Sequence, residues 1–268
     1  MTELPYEVPR CHEDVTPAAN APRRRSTRRL GVDVAIGKSM TDFEPQIGLI
    51  EDVRLLVYSE LAGAGRVDGA ASLAARLDVP RSVVDQSLLH LQDSRDLVLN
   101  DHGEILLAHP FAMRNFGFSV MGKDVLWWGG CAWDAFTIPH LVPDEAAALI
   151  ATRCPGCGTP HAWNVTRDEC TQGDQVVYFA TPMRHVWDDV VHACSNQRIF
   201  CSDECVDAAI GRQPPAVTGV RFDIPTLWRL ASRWYEGRLE RGYRRRDPAS
   251  ATAYFHEVGL TGSFWGNA

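Results

Sequence analysis

The sequence has no hydrophobic run that approaches the roughly 18 residues needed to cross a membrane. Its first ten residues are polar and carry prolines, so they do not resemble the apolar stretch of a secretory signal. Basic residues are also in deficit, because 27 Lys and Arg stand against 34 Asp and Glu, a net charge of −7. This charge disfavours a general nucleic-acid binder, whose affinity depends on neutralising phosphates. We therefore expect a cytoplasmic protein without a membrane partner and without a nucleic-acid partner.

The composition is that of an ordinary globular protein. Of the 268 residues, 45% are hydrophobic and 23% are charged, which excludes wholesale disorder and fibrous architectures. A chain of this length buries roughly 70–75% of its unfolded surface and needs no cross-links to hold a core. The eight cysteines, in a chain without a visible signal, are therefore expected in a reducing compartment, where metal-binding or catalytic roles outrank disulfides.

Residues 1–45 have the composition of a disordered leader. They contain five prolines and an arginine cluster between residues 23 and 29. Such a segment cannot bury enough apolar surface to fold, so we expect a solvated tail. A basic arm that binds nucleic acid or an acidic partner is the alternative interpretation.

Residues 46–110 predict a winged helix-turn-helix-like domain. Apolar residues recur at helical spacing from residue 50, and two short helices are expected over 71–77 and 82–91. The segment 97–107 then has the alternation and the polar turn of a two-stranded hairpin. Helix, helix, turn, helix and hairpin is the order of a winged helix.

A winged helix invites a DNA-binding function, but the charges disfavour it. The second helix of the turn has one cation near its start, Arg81, and the wing carries Asp101 and Glu104. Elements that face phosphates should be basic. We therefore expect a structural role for this domain.

The remaining chain predicts an α+β core over residues 111–212 and a helical C-terminal extension over 213–268. Strands are expected over 116–120, 125–128, 162–165 and 176–180, and helices from residue 131, over 144–151, over 203–211 and over 225–241. The basic residues of the last helix are expected to form its solvated face. The fold class is thus α+β, with a winged-helix-like N-terminal domain before a mixed core.

Four of the cysteines fall into two pairs with metal-ligand spacing. Cys154 and Cys157 flank Pro-Gly, a knuckle that turns both sulfurs towards one point, and Cys201 and Cys205 open a predicted helix. A knuckle and a helix start can together close a tetrahedral zinc site of structural type. Separate buried or free cysteines are the alternative. Cys11 and Cys170 lie outside any such spacing.

Cys131 and Asp134 form a second combination. They are three residues apart on a predicted helix and therefore share a face. A carboxylic acid beside a thiol is useful when a proton must reach a carbon whose bond to a soft metal is breaking, and a second thiol, Cys194, would complete the chelate. The spacing alone does not exclude a helical cysteine with an unrelated aspartate.

The amino-acid sequence around these residues resembles that of the organomercurial (alkylmercury) lyase family. The most specific part is the cysteine–aspartate segment, Gly129-Gly130-Cys131-Ala132-Trp133-Asp134-Ala135-Phe136-Thr137-Ile138-Pro139. The segment 192–202 resembles the family's second-cysteine motif. The family has similar residues at two further places, Ala108-His109-Pro110-Phe111 and Cys154 followed by Gly158-Thr159-Pro160. The winged-helix-like N-terminal part is also similar to that family. The resemblance covers roughly residues 50–210.

The resemblance implies protonolytic cleavage of a carbon–mercury bond, which yields a hydrocarbon and Hg(II). It implies Cys131 and Cys194 as the mercury-binding thiolates and Asp134 as the proton donor. No cofactor beyond exogenous thiol is implied, and low-molecular-weight thiols or a mercury reductase would receive the product. Cys157, Cys201, Cys205 and the tail beyond about residue 212 depart from the family's plainer pattern. They keep open two alternatives: a non-lyase relative that binds or transfers a soft metal or serves a biosynthetic pathway, and a metal-responsive winged-helix regulator.

Overall fold

The structure, a computed structural model, describes residues 43–211 and 219–266. The expected leader therefore lies outside the described residues up to position 42. The helices are α1 (Phe43–Ala64), α2 (Ala70–Leu77), α3 (Arg81–Asp93), α4 (Ala132–Leu141), α5 (Val190–Ser195), α6 (Asp203–Ile210), α7 (Ile224–Ser232) and α8 (Pro248–Glu257). The strands are β1 (Val98–Leu99), β2 (Ile105–Ala108), β3 (Phe111–Ala112), β4 (Phe118–Met121), β5 (Leu126–Gly129), β6 (Ala147–Arg153), β7 (Pro160–Thr166), β8 (Val176–Phe179), β9 (Gln197–Phe200) and β10 (Val220–Asp223).

The strands form two antiparallel sheets. The larger has the order β1-β2-β3-β5-β4-β6-β7, and the smaller has the order β10-β8-β9. Together with eight helices among the described residues, they confirm the expected mixed α+β class. None of these helices combines the length and the apolar composition needed to cross a bilayer.

Helix α4 is the central helix of the core. Every residue from Ala132 to Pro139 is buried, because α4 packs on the larger sheet, on α7 and on β9. A helix buried all round needs apolar or small residues on every face, and this sequence supplies them. The first turn of α4 is therefore fixed from several sides.

The N-terminal elements follow the expected order. Helices α1, α2 and α3 pack together, and the β1–β2 hairpin follows them. Helix α1 begins at Phe43, earlier than the apolar spacing indicated. The hairpin is continuous with the larger sheet, because Leu107 and Ala108 of β2 pair with β3. This N-terminal layer is thus joined to the core through the backbone of one sheet.

Two sequence predictions in the core and the C-terminal part are wrong. The expected helix over 144–151 is strand β6, in which Ala148, Ile150 and Thr152 are buried in alternation while β4 and β7 pair on either side. Pairing on both sides outweighs the helical propensity of its alanines. The expected helix over 225–241 ends at Ser232, and the following turns include Gly237 at a φ of +76°.

The basic face expected on that helix is also partly wrong. Arg238 is 2% exposed rather than solvated, and its guanidinium donates to the Tyr58 hydroxyl and to the carbonyls of His109 and Asp96. Arg54 of α1 donates to the carbonyls of Arg238 and Glu240. The hydrogen bonds of these two arginines hold the segment after α7 against the N-terminal layer, which consists of α1–α3 and the β1–β2 hairpin.

Candidate active site

The sharp turn from β5 into α4 positions the first site residue. Cys131 is the N-cap of α4, and its Sγ accepts a hydrogen bond of 3.3 Å from the backbone N–H of Asp134. A Cβ on Gly129 would lie 2.7 Å from the Cβ of Ala135, and one on Gly130 would lie 2.6 Å from Oδ2 of Asp134. Both glycines are required because the chain packs directly against the first turn of the helix.

The structure brings Cys131, Asp134 and Cys194 together. Cys194 lies on the short helix α5, which begins at the N-cap Asp189, and its thiol is close enough to that of Cys131 to raise the Cys131 pKa. Ligand atoms of Cys194, Asp134 and His109 lie within 4.8 Å of one another. All four residues are at most 5% exposed. The three residues expected from the sequence thus share one buried place.

Two residues that the sequence analysis did not single out hold the Asp134 carboxylate. Nδ1 of His109 lies 2.9 Å from Oδ2 of Asp134, and the Tyr235 hydroxyl donates to Oδ1 over 3.1 Å. Among the described residues, the buried Nε2 of His109 has no hydrogen-bond partner. Both oxygens of the carboxylate are therefore held in place.

Burial and neighbouring charges shift the pKa values of these groups. Burial, the hydrogen bond to Cys194 and the Asp134 charge raise the pKa of the Cys131 thiol well above its usual value. Burial lowers the pKa of His109, but the charges of Asp134 and Cys194 outweigh it, so the pKa is raised overall. Burial and the Asp134 charge raise the pKa of Tyr235 well above 10.0. Cys131 is consequently a thiol, and Tyr235 a hydrogen-bond donor, near neutral pH.

A cavity of about 530 Å³ opens above the two thiols. Its lining includes Trp133 and Trp187, and the segment after α7 supplies Trp234, Tyr235 and Phe255. Trp133 packs on Trp234 at 4.7 Å between ring centroids, and Trp234 stacks on Phe255 at 5.2 Å. The reacting groups therefore lie at the base of a largely aromatic pocket.

The four remaining paired cysteines form a second cluster. The sulfurs of Cys154, Cys157, Cys201 and Cys205 all lie within 4.8 Å of one another. A tetrahedral zinc with Zn–S bonds of about 2.3 Å would place its sulfurs about 3.8 Å apart, so the cluster fits this ion. A Cβ on Gly156 would lie 2.6 Å from the Cys205 carbonyl oxygen, so the knuckle packs closely against α6.

The electrostatics of this second cluster differ from those of the first. Hydrogen bonds, first of all from Thr159 and then from Cys201, lower the pKa of the exposed Cys157 to about 6. The bond with Cys157, together with burial, raises the pKa of Cys201 to about 12. The Sγ atoms of this pair lie 3.3 Å apart. One thiolate is thus present at neutral pH before any metal binds.

The residues missed by the sequence analysis carried weak signals. His109 lies in a segment that supported the family resemblance, but nothing in its spacing linked it to Asp134, 25 residues away. Tyr235 and Arg238 fell inside the predicted helix over 225–241, where arginine in particular was assigned to solvent. Only the turns after Ser232 bring them over the site.

Two buried thiols beside a carboxyl group, in a mixed α+β fold, form a site suited to a soft metal ion. Residues 111–236 match the family model for MerB, the alkylmercury lyases. This match confirms the resemblance found in the sequence and supports a carbon–mercury lyase. The match begins after the N-terminal layer and extends to 236, beyond the limit of about 210 expected from the sequence.

One solved structure supports the fold. The chain is similar to the structure described as the mercury-bound form of MerB2, with a TM-score of 0.54 and 16% identity. The similarity covers 75% of this chain and 100% of that one. At this identity the likeness concerns the fold. No curated protein matches the sequence.

Proposed function

We propose that this protein cleaves the carbon–mercury bond of an organomercurial with Cys131 and Cys194 as mercury ligands and Asp134 as proton donor. The observation that carries the proposal is the buried Asp134 carboxyl group, held by His109 and Tyr235 next to two buried thiols in one cavity lining. It lies in the domain that matches the alkylmercury lyases. A metal carrier would need the thiols alone and would gain nothing from a positioned acid.

The first step is exchange of the mercury onto the protein. The Cys131 sulfur bonds to mercury and displaces the thiolate that brought the substrate. Because Cys131 is a thiol at neutral pH, its proton must leave as the Hg–S bond forms. The neighbouring Asp134 carboxylate, whose charge raises the pKa of Cys131, is the base that accepts this proton.

The second step breaks the Hg–C bond. Cys194 then bonds to mercury, and its proton leaves on the displaced thiolate as a free thiol. Ligation by both sulfurs feeds electron density to the metal and weakens the Hg–C bond, whose electron pair remains on carbon. Asp134 returns its proton to that carbon, so the products are R–H and Hg(II) bound to two thiolates. His109 and Tyr235 act as positioning residues, because each contacts one oxygen of the acid and not the reacting carbon.

Product release requires another thiol to take the Hg(II). We infer that low-molecular-weight thiols or a mercury reductase accept the ion, and that the reaction takes place in the cytoplasm. Members of the alkylmercury lyase family act without a metal cofactor. The mercury in this scheme is the substrate, and both protons and electrons balance without an oxidant or reductant.

The second cysteine cluster is proposed as a structural zinc site. Four sulfurs would leave no open coordination position, so Cys154, Cys157, Cys201 and Cys205 would neither activate water nor bind substrate. Cys201 follows strand β9, and β9 follows α5, so a filled site would steady the segment that carries Cys194. We also propose that residues 46–110 are a winged-helix-like domain with a structural role. The catalytic core follows from residue 111, and the C-terminal extension supplies Tyr235 to its site.

The experiment that tests the proposed function is direct. Purified protein is incubated with an organomercurial and excess thiol, and the released hydrocarbon is measured by gas chromatography. Stoichiometric hydrocarbon and Hg(II), with multiple turnovers per chain, are expected. Binding of the mercurial without any hydrocarbon would overturn the proposal in favour of a metal-binding protein.

A further inference from the structure

The cavity above the thiols is basic, although the chain as a whole carries a net charge of −7. Its lining includes Arg95, Arg184, Arg238, Arg245 and Arg246. Among the described residues that line it, Asp134 is the sole carboxylate, and that group belongs to the reacting centre. Such a concentration of one charge in a cleft attracts ligands of the opposite charge.

Four of these five arginines have no ionic partner among the described residues. Across residues 43–211 and 219–266, no carboxylate lies within 4.0 Å of the guanidinium groups of Arg95, Arg184, Arg245 and Arg246. Arginines without an ion pair also occur elsewhere in the described residues, but here four of them line one cavity. Their charges are thus available to a ligand.

Arg246 has an unused donor inside the structure. Its Nη2 donates to the Arg233 carbonyl over 3.1 Å, and its guanidinium packs 4.5 Å from the Tyr254 ring centroid. These contacts hold the guanidinium of Arg246 in the cavity lining. Its Nη1 has no hydrogen-bond partner among the described residues and is the donor available to a ligand.

Arg245 is held in place by an aromatic ring. Its guanidinium lies 4.6 Å from the Trp187 ring centroid, and Arg95 lies 5.7 Å from the same ring. The edge of His109, the residue that holds Asp134, packs against Trp187 at 5.9 Å. Stacking fixes a guanidinium and leaves its N–H groups free for bidentate binding of a carboxylate. Trp187 thus connects the arginines to the reacting centre.

We propose that the outer part of this cavity is a carboxylate-binding site, in which Arg245 and Arg246 bind an acidic group carried on the mercury complex. The inference rests on the proposed function and names its substrate class: organomercury complexes that bear a carboxylate. That carboxylate can be on the organic group or on the thiolate that accompanies mercury, because both enter with the metal. Arg245 and Arg246 are specificity residues in this scheme and do not touch the reacting atoms.

Three substrate mixtures separate the two sources. Phenylmercury with mercaptoethanol carries no carboxylate, para-carboxyphenylmercury with mercaptoethanol carries it on the organic group, and phenylmercury with mercaptoacetate carries it on the thiol. We expect kcat/KM to be about 10- to 100-fold higher for at least one carboxylate-bearing mixture, the gain typical of a charge-assisted hydrogen bond. The advantage should shrink as salt approaches about 1 M, where charges are screened within about 3 Å. Equal kcat/KM for the three mixtures would overturn the inference.

The variants assign the effect to the two arginines. Arg245→Gln and Arg246→Gln should remove most of the advantage, so that kcat/KM falls much more for the carboxylate-bearing mixture than for the uncharged mixture, and Arg245→Lys should retain part of it. Arg244→Gln is the matched control, because Arg244 is exposed and does not line the cavity. Loss of activity towards all three mixtures alike would assign the arginines to the fold and contradict the proposal. Melting temperatures identify any variant that fails to fold. Arg245→Gln is less exposed to this risk, because Arg246 also donates a hydrogen bond to the Arg233 carbonyl.

A measurement without mercury separates this inference from the lyase function. Benzoate and benzyl alcohol are titrated against the wild type and Arg245→Gln, with tryptophan fluorescence as the signal, since Trp187 lies at the site. Benzoate should bind more tightly than benzyl alcohol, and Arg245→Gln should remove that difference. If no mercurial is cleaved but the benzoate preference holds, the proposed reaction is wrong and the carboxylate site remains. Cleavage without any carboxylate preference would support the lyase function and contradict the carboxylate-binding site.

Discussion

The two cysteine clusters of this protein each contain a cysteine, Cys131 in one and Cys157 in the other, and these two lie in opposite surroundings. Around Cys131 and Cys194 the thiols are buried, and burial with a neighbouring carboxylate raises the pKa of Cys131 well above its usual value. Around Cys157 the sulfur is exposed, and hydrogen bonds lower its pKa to about 6. The first arrangement keeps a proton in the site for use in a reaction. The second presents a thiolate that a metal ion can bind without displacing a proton.

The largest difference is expected when single thiols of the first cluster are removed. Cys131→Ser and Cys194→Ser should each reduce hydrocarbon release below detection, because both sulfurs are needed on mercury while the Hg–C bond breaks. Cys170→Ser is the control, since this cysteine lies outside both clusters. Near-normal release from Cys194→Ser would remove that residue from the site.

The next largest effect tests the proton. Asp134→Asn keeps the shape of the side chain but carries no transferable proton, so kcat should fall about 10²–10⁴-fold. Binding of the organomercurial, followed by tryptophan fluorescence, should persist. Asp144→Asn, at an exposed position near the other end of α4, should have no effect on kcat. An unchanged rate in Asp134→Asn would mean that water or another group supplies the proton.

Removal of a thiol from the second cluster should change stability and not chemistry. Cys157→Ser should lower the zinc content from about one ion per chain, and kcat at low temperature should remain that of the wild type. The melting temperature should fall by at least about 4 °C, since each kcal/mol shifts it by about 2–4 °C in a chain of this size. Wild-type protein without stoichiometric zinc, together with an unaltered melting temperature in the variant, would contradict a structural metal site.

The smallest effect concerns the titration of free thiols in protein stripped of metal by a chelator. Because the pKa of Cys157 is about 6, its thiolate is present above that pH and disappears below it. Iodoacetamide labelling of Cys157 should therefore be half-maximal near pH 6, as measured by peptide mass spectrometry. Cys131 should resist labelling at neutral pH because it is a buried thiol. Faster labelling of Cys131 than of Cys157 would reverse the comparison.

The sequence predicted both clusters because their members lie in short motifs. The i, i+3 pair of Cys131 and Asp134 depends on local helix geometry, and the Cys154–Cys157 knuckle depends on the Pro-Gly between its ends. The residues that hold the acid were not predictable in this way. His109 precedes Asp134 by 25 residues and Tyr235 follows it by 101, so only tertiary packing brings them together.

In the fold, too, features that depend on local sequence were predictable and features that depend on tertiary packing were not. Strands with clear alternation and the start of α4 at Cys131 were predicted, since they depend on local patterns. Strand β6 was mistaken for a helix because its alanines favour helix locally, whereas pairing with β4 and β7 decides its structure. The burial of Arg238 had no local signal, because its partners Tyr58 and Asp96 lie in the N-terminal layer.

The contacts of Arg54 have a consequence for the order in which the protein is made. Its guanidinium binds carbonyls 184 and 186 residues further along the chain. While the ribosome is still synthesising the core, both thiols and Asp134 already exist, but Trp234, Tyr235 and Phe255 of the cavity lining do not. The nascent chain would therefore expose both thiols until the late segment has emerged and bound to Arg54 of α1.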